Sequence, residues 1–146
     1  MLKNISPLLS PDLLRTLRAM GHGDEIAIVD GNYPAEEHGR RVIRADGVSS
    51  TQMLDAILSV MPLDDFVECA AFRPAPRGEG ATDDQPIFRE FRAIIDRHEG
   101  EKTPFGRLEA AEFYRRVREA YAVVATTEAR LYGNVILKKG VIRPPG

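Results

Sequence analysis

Apolar residues recur at helical spacing after Ser10, at Leu13, Leu14, Leu17 and Met20. Ser10 is a good N-cap, Pro11 fits the first helical position, and Asp12 favours the positive end of the helix dipole. Gly21 is the expected C-terminal cap. The apolar run from Glu25 to Asp30 predicts a short buried strand, ended by the turn chemistry of Gly31-Asn32-Tyr33-Pro34. Ser49 and Gln52 have capping-box spacing, and Met53, Leu54, Ile57, Leu58 and Met61 then form the apolar face of a helix that Pro62 stops. Residues Phe66 to Phe72 predict the next strand. From Arg73 to Pro86 the chain is polar and holds three prolines and two glycines, which predicts a long connection. Loops of that length are usually functional, mobile or at an interface. Ile87 to Arg97 and Ala110 to Ala120 read as helices, and Tyr121 to Ala125 and Asn134 to Lys138 as strands.

Helices alternating with short β-branched strands predict a layered α/β domain, and the closing strand pair predicts a mixed sheet. A chain of 146 residues fits one domain spanning 1–146. There is no internal repeat and no low-complexity tract.

Composition narrows the partners. Charged residues make up 29% of the chain, yet the net charge is only −2 and the signs are interspersed. That leaves no electrostatic footprint for nucleic acid or for an anionic membrane. No run approaches the roughly 20 apolar residues of a membrane span, and no signal-type stretch opens the chain, so the expected location is the cytoplasm. Cys69 is the single cysteine, which excludes an internal disulfide and a thiolate zinc site. Its apolar neighbours predict a buried small hydrophobe.

The chain has no phosphate-binding glycine loop, no nucleophile elbow and no HExxH metal motif. His38 and His98 have no second histidine at ligand spacing, so no metal site is expected. The most suggestive segment is Gly21-His22-Gly23-Asp24, between a helix end and a strand start. Flanking glycines leave the imidazole reachable, and histidine titrates near neutrality. His22 is therefore either an acid/base group or a surface histidine beside a helix cap. Asp30 ends an apolar strand, where α/β sheets gather ligands, or is a turn aspartate. Tyr132-Gly133-Asn134 is either a turn before a strand or a set offering an aromatic face, a hydroxyl and an amide to a sugar.

Taken together, these segments resemble the RbsD/FucU family of sugar mutarotases and pyranases. The matching stretches are MLKNISPLLSPDLL (1–14), MGHGDEI (20–26), VIRADG (42–47) and FYRRVREAYAVVATTEARLYGNVILKKGV (113–141). GHGDEI and YGNVILKKG resemble the L-fucose branch more than the D-ribose branch. The weakest likeness is in residues 63–112.

The resemblance implies an α/β/α layered fold and a cofactor-independent isomerase that interconverts the anomers of a reducing monosaccharide, L-fucose first. D-Ribose pyranase-type activity, or sugar binding without catalysis, are the alternatives. It implies His22 as the proton-transferring group, and Asp30, Tyr132, Gly133 and Asn134 as sugar-binding residues. It also implies a homo-oligomer, often a decamer in the family, with sites near subunit contacts. One departure stands out. Ala110 occupies the place of a sugar-binding arginine or histidine, so either Arg107 reaches in or that contact is lost.

Overall fold

The computed structural model describes residues 1–146. Helix α1 (Pro11–Ala19) begins as its sequence dictates, with the Ser10 hydroxyl accepting from the Leu13 N–H. Its end differs from expectation. Met20, in extended conformation, is the C-cap, and Gly21 is not in the left-handed conformation of a glycine cap. The carbonyls of Leu17 and Met20 are met instead by Lys139 Nζ, 2.6 Å from each. A side chain from the far end of the chain thus does the work a glycine cap would do.

Strand β1 (Glu25–Val29) is followed by a short helix α2 (Ala35–His38) and strand β2 (Val42–Ala45). Helix α3 (Ser50–Leu58) carries the full capping box of Ser49 and Gln52 and stops short of Pro62. The next strand is displaced from expectation. β3 is Ala71–Pro74, whereas Phe66 and Val67 lie outside it and are exposed. Pairing decides this. Ala71 and Phe72 pair with the last strand, opposite Leu137 and Ile136, and the Ala70 carbonyl accepts from the Lys138 N–H, whereas Phe66 and Val67 have no partner there. Helix α4 (Pro86–Glu99), strand β4 (Gly106–Leu108), helix α5 (Ala110–Glu119), and strands β5 (Ala122–Thr126) and β6 (Val135–Lys138) complete the chain. Strands β2 and β4, four and three residues long, are too short to announce themselves by periodicity.

The six strands form one mixed sheet in the order β2-β5-β1-β6-β3-β4. β1 is parallel to β5 and antiparallel to β6, β6 is antiparallel to β3, and β3 is parallel to β4. Five strands therefore point one way and β6 alone runs back. Alternate residues of β1 serve the two faces. Ile26 and Ile28 pack with Leu13, Leu17, Leu54, Ile57, Phe91 and Ile95 of α1, α3 and α4. Ala27 and Val29 pack with Ala35 of α2 and with Phe113 and Val117 of α5. The result is the expected α/β/α sandwich, with a larger core on the first face.

Cys69 is half-buried rather than buried, and its Sγ lies 3.2 Å from the Ala71 carbonyl oxygen. No helix is long and apolar enough to cross a membrane.

Candidate active site

Because five strands run the same way, their carboxyl ends meet along one rim. Asp30 follows β1, residues 75–77 follow β3, Glu109 and Ala110 follow β4, and the lone reversed strand β6 starts there from Tyr132-Gly133-Asn134. A cavity of about 240 Å³ opens on this rim. That is below the ~300–1,000 Å³ of pockets that take drug-sized ligands, a size for a small polar molecule. Pro74, Ala75, Arg77 and Ala110 form one part of its lining; Phe113, Tyr114, Tyr132 and Asn134 form the rest.

Asp30 and Asn134 are locked together. The Asp30 N–H donates to Asn134 Oδ1 at 2.7 Å, and the Asn32 N–H donates to Asp30 Oδ1 at 3.0 Å. Burial pushes the Asp30 carboxyl above its ordinary range, although hydrogen bonds from Asn32, Gly133, Asn134 and Tyr33 oppose the shift. The sequence-predicted triplet 132–134 is a tight turn: the Asn134 N–H donates to the Tyr132 carbonyl at 2.8 Å, with Tyr132 at a left-handed φ of 62°. Gly133 is required by space. A Cβ there would stand 2.7 Å from Glu128 Cγ and 3.0 Å from Ile87 Cδ1. Beneath it, the buried Glu128 is held by Ser50 and Arg130; burial raises its pKa, but the Arg130 contacts outweigh this and keep it below the usual range.

His22 is not on this rim. It precedes β1, whereas Asp30 follows it, and a five-residue strand spans roughly 17 Å. The imidazole Nε2 lies 2.8 Å from Oδ1 of Asp64, whose side chain is almost fully buried, and the ring rests against the exposed Phe66 at 4.9 Å. Burial pushes the Asp64 carboxyl up, but the Phe66 N–H and His22 prevail and hold it below the ordinary range. The partner of His22 within the chain is therefore Asp64, a residue that its sequence context, Pro62-Leu63-Asp64-Asp65, did not single out.

Arg107 does not reach the cavity. Its guanidinium is held by Asp83 at 3.0 Å and Glu109 at 2.6 Å. Ala110 lines the cavity and offers no donor.

Several groups near the rim escaped the sequence reading. Tyr33, His38 and Tyr114 form an aromatic cluster with ring centroids 5.2–5.6 Å apart. The Tyr33 hydroxyl lies 2.8 Å from His38 Nδ1, and Arg118 donates to His38 Nε2 at 2.9 Å. A donor at Nε2 leaves the ring proton on Nδ1, which donates to Tyr33. Burial first, then the Arg118 charge, lower the His38 pKa, and burial raises that of Tyr33. No group of three His, Cys, Asp or Glu side chains is arranged to hold a metal ion.

The model of the RbsD / FucU transport protein family matches residues 3–142. The human fucose mutarotase is 43% identical, over 97% of this chain and 94% of its own. The L-fucose mutarotase of Glaesserella parasuis is also 43% identical, over 97% and 96%. The crystal structure of the Streptococcus pneumoniae fucose mutarotase in complex with L-fucose superposes with a TM-score of 0.90 at 42% identity, covering 97% of this chain and all of that one. Bacillus subtilis RbsD complexed with D-ribose has a TM-score of 0.77 at 22% identity, a likeness of fold. The chain belongs to the RbsD/FucU family.

Proposed function

We propose that this protein is a mutarotase that interconverts the anomers of L-fucose. The observation that carries the reading is the small cavity lined by Tyr132 and Asn134, with Asp30 hydrogen-bonded to Asn134 beside it, in a chain alike over nearly its whole length to fucose mutarotases. L-Fucose is favoured over D-ribose because the L-fucose-bound relative is the nearer in both identity and fold.

The chemistry is a ring opening. The C1–O5 bond breaks as the ring oxygen gains a proton and the anomeric hydroxyl loses one. The aldehyde carbon rotates, and the reverse transfers close the ring on its other face. Atoms and charge balance without a cofactor. One positioned acid/base group contributes typically about 10²–10⁴-fold. In this reading His22 gives and takes the ring-oxygen proton, and Asp64 steadies its imidazole. Asp30 accepts from a sugar hydroxyl, and Asn134 fixes Asp30.

Since His22 and Asp30 stand at opposite rims, both can act on one sugar only if His22 comes from a neighbouring copy. We therefore read the protein as a homo-oligomer, of the ring form common in the family, with shared sites. The exposed Phe66 and Val67 beside His22 support this, since a second copy would cover them.

The test is NMR saturation transfer between the anomeric protons of L-fucose, D-ribose, D-galactose and L-rhamnose, with light scattering on the same sample. Fast exchange of L-fucose by an oligomer is expected. Sugar binding without exchange, or a monomer at micromolar concentration, overturns the reading.

A further inference from the structure

The cavity has four polar side chains in its lining: Arg77, Tyr114, Tyr132 and Asn134. Two are already committed. Asn134 is bound to Asp30. The Tyr132 hydroxyl donates to the Arg77 carbonyl at 3.2 Å and accepts from the Arg77 N–H at 3.4 Å. That leaves Arg77 as the cation of the lining, with a guanidinium that has no hydrogen bond or ion pair within the chain. Of the acids in the same loop, Asp83 is held by Arg73 at 2.7 Å and Arg107 at 3.0 Å and Asp84 by Arg89, and Glu79 makes no ion pair with Arg77.

We infer that Arg77 is a sugar-binding residue of this site, and that Tyr132 is its positioning residue. The inference rests on the mutarotase reading for its substrate. A monosaccharide offers hydroxyl oxygens as acceptors, and the carboxylate of Asp30 can serve only their protons. Arg77 brings five N–H donors in a planar fork that spans two adjacent oxygens. It lines the same cavity as Ala110, which has no donor. Tyr132, at its left-handed φ, clamps both backbone polar groups of residue 77, so the turn at the start of β6 sets where the guanidinium starts from.

The test compares wild type with Arg77→Ala, Arg77→Lys, Tyr132→Phe and the double variant Arg77→Ala/Tyr132→Phe. Each is checked for native circular dichroism, then measured for L-fucose binding by calorimetry and for anomer exchange against sugar concentration. Arg77→Ala should weaken binding and raise KM about tenfold or more, the effect of one charge-assisted hydrogen bond, with kcat little changed. Arg77→Lys should recover part of the loss. Tyr132→Phe should weaken binding less, and should add nothing once Arg77 is absent. If wild type exchanges L-fucose and Arg77→Ala binds and exchanges it equally well, the inference is wrong and the mutarotase reading stands. If wild type binds without exchange and Arg77→Ala weakens binding, the inference stands and the catalytic reading falls. If wild type neither binds nor exchanges any sugar, both fall. Additive losses in the double variant would remove the positioning role of Tyr132.

Discussion

His22 and Asp30 flank the same strand, β1, one before its first residue and the other after its last. A strand keeps its ends apart, so no side-chain rotation within one copy brings the imidazole to the cavity on the Asp30 rim. This makes a sharp prediction about sharing. His22→Ala and Asp30→Ala should each be folded and inactive alone. Co-assembled from mixed, partly unfolded and refolded chains, they should regain measurable L-fucose exchange, because some sites then combine an intact His22 with an intact Asp30. Mixed assemblies that stay inactive would show that the two residues do not serve one site.

Arg107→Ala should leave KM and kcat for L-fucose at wild-type values. Its guanidinium is exposed and engaged with Asp83 and Glu109, and surface pairs of that kind contribute little. Steady-state exchange kinetics check this. A raised KM in Arg107→Ala would mean that the guanidinium swings into the cavity when sugar is bound.

Gly133→Ala should destabilise the protein by about 1–3 kcal/mol, the range for overpacking a tight site. The new methyl would press on Glu128 and Ile87, and Glu128 is anchored by Arg130 and Ser50 and cannot step aside freely. Urea titration should show a lower midpoint with an unchanged slope. An unaltered midpoint would contradict the crowding.

His38 predicts a pH dependence of stability. Burial and the Arg118 charge lower its pKa in the folded protein, so the unfolded chain binds the proton more readily. The contribution of the neutral, buried ring is then complete above about pH 6.5, the ordinary imidazole value, and is lost as pH falls through the folded value. Melting temperatures between pH 5 and 7.5 should fall more steeply on the acid side for wild type than for His38→Gln. Parallel curves would rule the linkage out.

The elements that residues announce locally are where the sequence placed them. The Ser10 cap, the Ser49–Gln52 box and the apolar stripes of α4 and α5 act within one or two helical turns, so their signals lie in adjacent residues. β1, buried on both faces, reads as an apolar run for the same reason. The family likeness was also legible, since it rests on short phrases in order. What sequence could not decide are pairings between distant residues. Whether Phe66 or Ala71 opens a strand depends on which of them meets β6, some 65 positions on. Asp64 meets His22 across 42 residues, and Tyr132 meets Arg77 across 55. The order of strands in the sheet creates those contacts, and the direction of β1 separates His22 from Asp30. Strand order is a property of the whole packed sheet, where side chains from remote segments compete for the same neighbours, and no local pattern of residues encodes it.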